Sequence, residues 1–279
     1  MEIRFWGVRG SVAASGSQVA RIGGNTSCLE VTHQGHRLIL DAGTGIRGLG
    51  EELLHAGQPV CATLLFSHLH WDHVQGFPFF TPAYLPTSQL TLYGPPAGTE
   101  GDLASVLAKQ MEPPNFPVPL SAMRARLRFS TATPGAPLEI GPFRVLPFKV
   151  PHPQGCLGYR IDAGEKRFVY MTDVELSLAT LTPQILSAME GADALCLDAQ
   201  YTPDEYRGAS GPSRKGWGHS TMIDAAQVAC AAGAKRLFLF HHDPAHNDDT
   251  VEAMAEEARN HFERSEPARE NKRIILGAA

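Results

Sequence analysis

The chain has 279 residues, 43% of them hydrophobic, enough to bury a substantial core in one large domain or two small ones. Its 24 Lys and Arg stand against 29 Asp and Glu, a net charge of −5 with no long run of either sign, which argues against a broad basic surface for nucleic acid. Five scattered cysteines without a Cys-x-x-Cys pair exclude a disulfide framework and a thiolate zinc site; with no leader-like N-terminus and no apolar run near the ~20 residues that span a bilayer, a cytoplasmic protein is expected.

Apolar runs predict strands at 2–7, 27–33, 37–41, 61–66 and 89–93. Residues 74–135 are Pro-rich and irregular, with one helix expected around Asp102 to Met111; the stretch reads as a surface insertion or as a wall over a site. Further strands are expected at 143–150, 157–162, 166–172, 194–198, 235–240 and 272–276. A helix should start at Thr182-Pro183, where an N-cap precedes proline at the first helical position. Another runs from Ser220 or Thr221 to about Ala232, and a third covers 248–263 with Val251, Met254, Ala255, Ala258 and Phe262 on one face. No composition break marks a linker, so 1–279 reads as a single domain, and composition by itself supports only α/β or α+β.

The most informative run is His68-Leu69-His70-Trp71-Asp72-His73, placed just after the apolar strand Ala62 to Phe66. In an extended segment residues two apart project to one side, so His68 and His70 can grip one ion, while Asp72 and His73 point elsewhere and suit a second. Ligand-type residues recur past other strand ends: His152 after 143–150, Asp173 after 166–172, and His241-His242 after 235–240. Asp41 likewise ends a strand and opens Asp-Ala-Gly-Thr-Gly. No Lys-Ser/Thr follows those glycines, which rules out a P-loop.

In this order the residues resemble the metal signature of the metallo-β-lactamase superfamily of hydrolases. The resemblance implies a four-layer αββα sandwich and two divalent metal ions bridged by a hydroxide, with zinc, manganese or iron suited to the donors. It implies that His68, His70 and His152 hold one ion and Asp72, His73 and His241 the other, with His242 as the alternative to His241. Asp173 would bridge both ions, Asp72 counts also among the catalytic residues, and Asp41 would support the ligand histidines from behind.

A second cluster, Asp198-Ala-Gln-Tyr-Thr, Glu205 and Gly218-His219-Ser220-Thr221, resembles the phosphodiesterase branch of that superfamily, which includes tRNase Z and the cyclic phosphodiesterase of phosphonate metabolism. The resemblance makes His219 the general acid, with Asp198 and Glu205 orienting it. No Gly/Pro- and Lys-rich arm of the kind tRNase Z uses is evident, so the expected substrate is a small or cyclic nucleotide-type phosphodiester, with no membrane and no extended nucleic acid as partner. Lactone or thioester hydrolysis, tRNA 3′-end processing and a non-catalytic metal sensor are the alternatives, and a homodimer is left open.

Overall fold

The computed structural model describes residues 1–98, 101–209 and 211–277. Its first sheet is built almost wholly from the first half of the chain: β1 (Glu2–Gly7), β2 (Cys28–His33), β3 (His36–Leu40), β4 (Cys61–Leu65), β5 (Gln89–Gly94) and β6 (Arg126–Thr131) lie side by side in that order. The second half supplies β7 (Leu138–Ile140), β8 (Phe143–Val150), β9 (Cys156–Ala163), β10 (Lys166–Met171), β11 (Ala194–Asp198), β12 (Leu237–Phe240) and β13 (Ser265–Pro267), also in sequence order. The last strand, β14 (Arg273–Ile275), returns to pair with β1.

Both sheets follow one plan. Each begins with antiparallel pairs and becomes parallel partway across, at β3–β4 in the first and β10–β11 in the second. Parallel strands share a direction, so the loops after their carboxyl ends gather on one rim, where open α/β sheets place their ligands.

Three apolar clusters define four layers. Phe5, Leu29, Val31 and Leu40 from the first sheet meet Phe143, Tyr159, Tyr170 and Phe238 from the second, filling the space between the sheets. The outer face of the first sheet packs α1 (Ile46–His55) and α3 (Leu103–Gln110), through Leu49, Leu53 and Leu107. The second sheet carries α4 (Pro183–Met189), α6 (Met222–Ala231) and α7 (Asp248–Arg259), through Met189, Val228, Ala255 and their neighbours. The architecture is the αββα sandwich.

Helix α1 was not expected from the sequence. Gly48 and Gly50 interrupt its apolar period and have poor helix propensity, yet they lie where the Trp6 and Phe80 rings approach the helix to within 3.5 and 3.0 Å of an added Cβ. Strand β6 was missed because it is largely exposed and its sequence, Arg-Leu-Arg-Phe-Ser-Thr, has little apolar content. Cys28, Cys156 and Cys196 are buried free thiols as expected, whereas Cys61 and Cys230 are exposed. No helix among the described residues is long and apolar enough to cross a membrane.

Candidate metal centre

Strand ends deliver the side chains. The β3 end provides Asp41, and the β4 end leads through Ser67, His68 and His70 into the short helix α2 (Trp71–Val74), which carries Asp72 and His73. The β8–β9 hairpin contributes His152 and Gln154, β10 leads to Asp173, β11 ends at Asp198, and His241 follows β12. Asp41, Asp173 and His241 all take left-handed backbone conformations, with φ of 59°, 48° and 61°. Asp and His are among the non-glycine residues that adopt this region more readily, and such turns concentrate where a chain must aim a side chain off a strand.

Beside a third group of Asp198, His219 and His241, two groups of donor atoms share Asp173, each confined within 4.8 Å: His68, His70, His152 and Asp173 in one, Asp72, His73, Asp173 and His241 in the other. Asp173 belongs to both because its oxygens divide. Its Oδ1 lies 3.1 Å from His73 Nε2 and 3.2 Å from His241 Nε2, while Oδ2 lies 3.5 Å from His68 Nε2 and 3.9 Å from His152 Nε2. In the first group His70 presents Nδ1, which is 2.9 Å from His68 Nε2 and 3.2 Å from His152 Nε2. Asp72 Oδ2 lies 3.2 Å from His241 Nε2 and 3.3 Å from His73 Nε2 in the second. Ligands at ~2.0–2.1 Å around a tetrahedral ion stand roughly 3.3 Å apart, the spacing found here.

Every one of these imidazoles has its other nitrogen committed. His73 Nδ1 donates to Asp41 Oδ2 at 2.9 Å, His70 Nε2 to Gln154 Oε1 at 2.8 Å, His152 Nδ1 to the Gly218 carbonyl at 3.0 Å, and His241 Nδ1 to Gln200 Oε1 at 2.9 Å. His68 Nδ1 donates to Ser67 Oγ at 3.0 Å, and that hydroxyl donates onward to Asp41 Oδ2 at 2.8 Å. With the protons held outside, the inward nitrogens are bare lone pairs. Bare lone pairs 2.9 Å apart repel unless a cation lies between them, and buried His73 Nε2 has no hydrogen-bond partner at all. The donor set therefore fits two cations, one per group.

Asp41 takes four hydrogen bonds: from the Ser67 amide, the Ser67 hydroxyl, His73 and the Tyr170 hydroxyl. His242 is not at the centre. It is buried, its Nε2 donates to the Ala268 carbonyl at 3.1 Å, and burial together with Arg9 lowers it to about 3.

Next to the donor groups lies His219, its ring stacked on that of His241 at 4.9 Å and edge-on to that of His152 at 5.4 Å. Its Nδ1 donates to Asp198 Oδ2 at 2.7 Å, leaving Nε2 as the free edge. Asp198 is fully buried and its other oxygen accepts from the amides of Gln200 and Ser220. Burial lowers the His219 pKa, but the charge and hydrogen bond of Asp198 raise it to about 9. Thr221 then caps α6, which fixes where the preceding His219 stands.

Glu205 does something else. Its Oε1 accepts from His246 Nε2 at 2.8 Å and its Oε2 from the Thr202 amide, completing a capping box on the short helix α5 (Pro203–Arg207). It does not meet His219, so the expectation that it orients that ring is corrected. Ring-holding residues that sequence reasoning passed over include Gln154, Gln200 and Ser67. Only Gln200 left a signal, two positions past Asp198 and so on the same side of an extended chain. Glu175 was missed too: it accepts from Tyr206 and from the amides of Gly216 and Gly218, tying down the loop that ends at His219.

Comparison with known proteins places this geometry. A ribonuclease Z of Haloarcula marismortui is 24% identical over 94% of this chain and 92% of its own length. Three solved structures share the fold across nearly their whole lengths. YhfI from Bacillus subtilis superposes with a TM-score of 0.74 at 20% identity, covering 98% of each chain. Zn(2+)-bound PqqB from Methylobacterium extorquens gives 0.73 at 20% identity, covering 99% of this chain and 100% of its own. A diphosphatase from the PhnP family gives 0.70 at 17% identity, covering 99% and 97%. The model of the beta-lactamase superfamily domain matches residues 36–242, a span that takes in the candidate donor residues from His68 to His241, and the chain belongs to that family.

Proposed function

We propose that this protein is a metal-dependent hydrolase of phosphodiesters, acting on a small substrate. The observation that carries the reading is the His219–Asp198 pair at 2.7 Å, its ring stacked on His241 and outside the two groups that share Asp173. A thioester, whose thiolate leaves without a proton, has little use for such a group. A phosphodiester has an alkoxide to expel, and that oxygen needs a proton.

The roles follow from the contacts. His68, His70 and His152 would hold one ion, Asp72, His73 and His241 the second, with Asp173 shared. Zinc suits a set of five imidazoles and two carboxylates, and the PqqB neighbour is zinc-bound. When bound, the pair supplies hydroxide near neutral pH and a positive clamp for the phosphoryl oxygens. Asp41 fixes the tautomer of His73 and, through Ser67, that of His68. Asp72 is held by the Ser11 amide at 2.8 Å, which keeps its Oδ2 turned toward the second group. Asp198 orients His219 so that Nε2 faces the leaving oxygen.

The test is a turnover screen of the zinc-loaded protein against methyl p-nitrophenyl phosphate, 2′,3′- and 3′,5′-cyclic nucleotides, a lactone and a thioester. Diester hydrolysis with little action on the carbonyl substrates is the expected result; the reverse preference overturns the reading. The ribonuclease Z likeness over most of the chain supports a second reading, cleavage of a tRNA precursor, and such a precursor belongs in the same screen.

A further inference from the structure

The segment that follows β10 ties the candidate metal centre to the His219 loop. It runs Asp173-Val174-Glu175-Leu176, and each residue after the shared donor Asp173 holds a group next to His219. The Val174 amide donates to Asp198 Oδ2 at 3.4 Å, and its carbonyl accepts from the Ser220 hydroxyl. The Leu176 amide donates to that same hydroxyl at 3.0 Å. Glu175 reaches the other flank of His219. Its Oε2 accepts from the Gly218 amide at 3.0 Å, and its Oε1 accepts from the Gly216 amide at 2.9 Å and from the Tyr206 hydroxyl. Val174 and Leu176 act through main-chain groups, so Glu175 is the one tie of the three that a substitution can cut.

The flank that Glu175 holds is the one least able to hold itself. Gly216 and Gly218 have φ of 83° and 91°, a region glycine enters at little cost, and glycines leave a loop many other conformations once its ties are cut. Asp198 fixes the His219 ring at Nδ1, but the direction of Nε2 depends also on where the backbone before the ring stands. Gly218 has a second attachment. Its carbonyl accepts from His152 Nδ1 at 3.0 Å, and a Cβ on Gly218 would stand 2.4 Å from that nitrogen. Gly218 thus has the Glu175 carboxylate on its amide, the donor histidine His152 on its carbonyl, and His219 as the next residue.

We propose that Glu175 is a positioning residue for the proton transfer: through Gly218 it sets His219 Nε2 where the leaving oxygen of a diester held at the metal centre departs. This rests on the phosphodiesterase reading above and gives a role to a carboxylate that belongs to none of the donor groups. A carboxylate suits the task because it accepts from two amides and a phenol at once, with no hydrogen of its own to turn toward them. Glu175→Gln keeps the size but points an N–H either at the Gly218 amide or at the Gly216 amide and Tyr206 hydroxyl.

The experiment is a double-mutant cycle of Glu175→Gln and His219→Ala in zinc-loaded protein. It is read on methyl p-nitrophenyl phosphate and on methyl phenyl phosphate, whose leaving oxygen is far more basic and so needs the proton more. Glu175→Gln should slow the phenyl diester by about tenfold to a hundredfold, the scale of a misplaced group, and the p-nitrophenyl diester by less than about threefold. Two substrates read on one preparation give a ratio that does not depend on how much of the variant folds. In the His219→Ala background, Glu175→Gln should cost less than about threefold more on the phenyl diester, because its effect passes through that ring. Equal slowing of both substrates, no slowing of either, losses that multiply in the double variant, or fewer zinc ions held than in the wild type would each overturn the inference and leave the diester reading standing. Wild-type protein that cleaves the p-nitrophenyl diester alone has no working proton donor for Glu175 to place, and overturns the inference too. Cleavage of neither diester removes the reading beneath it.

Discussion

At the scale of single residues, Asp41 holds the candidate ligands without being one of them. All four of its hydrogen bonds go to protein groups, and two of them set the tautomers of His73 and, through Ser67, His68. Asp41→Asn keeps the size but offers an amide to one of those donors. Metal affinity should fall by the ~10–100-fold typical of lost outer partners, read by chelator competition; unchanged affinity would assign Asp41 to its turn alone. His219 makes a different prediction. His219→Ala should keep both ions and the fold but slow turnover by roughly 10²–10⁴ on diesters with a ribose-like leaving group. On p-nitrophenyl diesters, whose leaving group needs no proton, the loss should be far smaller. Equal losses on both, with metals retained, contradict the acid role.

Most of these residues were legible because metal sites use few side-chain types. Four donor-type residues within His68 to His73, then His152, Asp173 and His241 past later strands, form a pattern that ordinary turns do not make, and the structure gathers their donor atoms. The ring-holding residues were not legible. Gln154, Ser67 and the Gly218 carbonyl act from wherever the fold happens to bring them, and a carbonyl has no sequence signature. Glu205 misled for a related reason: an acid near His219 in sequence looks like its partner, but the Thr202–Glu205 capping box turns it toward His246.

At the scale of elements, the site depends on how closely its loops approach one another. Gly10, in the turn after β1, lies so near His241 that a Cβ there would stand 2.3 Å from its Nδ1. Gly10→Ala should therefore push the imidazole off its line to Asp72 and Asp173. The expected result is loss of about one of two ions in elemental analysis, with the His68, His70 and His152 group still occupied. Two ions bound at wild-type affinity would show that the loop yields without cost. Glycines also explain where the elements escaped sequence reading. Gly48 and Gly50 hide α1, because what makes them useful, a near approach by Trp6 and Phe80, is set by tertiary contact and not by helix propensity. Strands whose apolar runs were continuous or alternating, such as β4 and β8, were plain; β7 and β13, three residues each, are too short to show a period.

At the scale of the molecule, the two sheets bring ligands from opposite halves of the sequence to one rim. His68, His70, Asp72 and His73 belong to the first sheet's loops, while His152, Asp173 and His241 belong to the second's. Ions held there would bridge the halves of the sandwich, and removing them should loosen it. Chelation is expected to lower the unfolding temperature, since at a thousandfold excess over Kd a bound ion stabilises by about 4 kcal/mol. A melting curve unmoved by chelation would mean that the halves hold together on the apolar core alone.

The most direct test of the whole account is a zinc titration of the chelator-treated protein, followed by turnover of methyl p-nitrophenyl phosphate. The account predicts no activity without metal and a rise that saturates at about two equivalents per chain. Full activity in metal-free protein, or zinc bound at two equivalents with no diester cleaved, would contradict it.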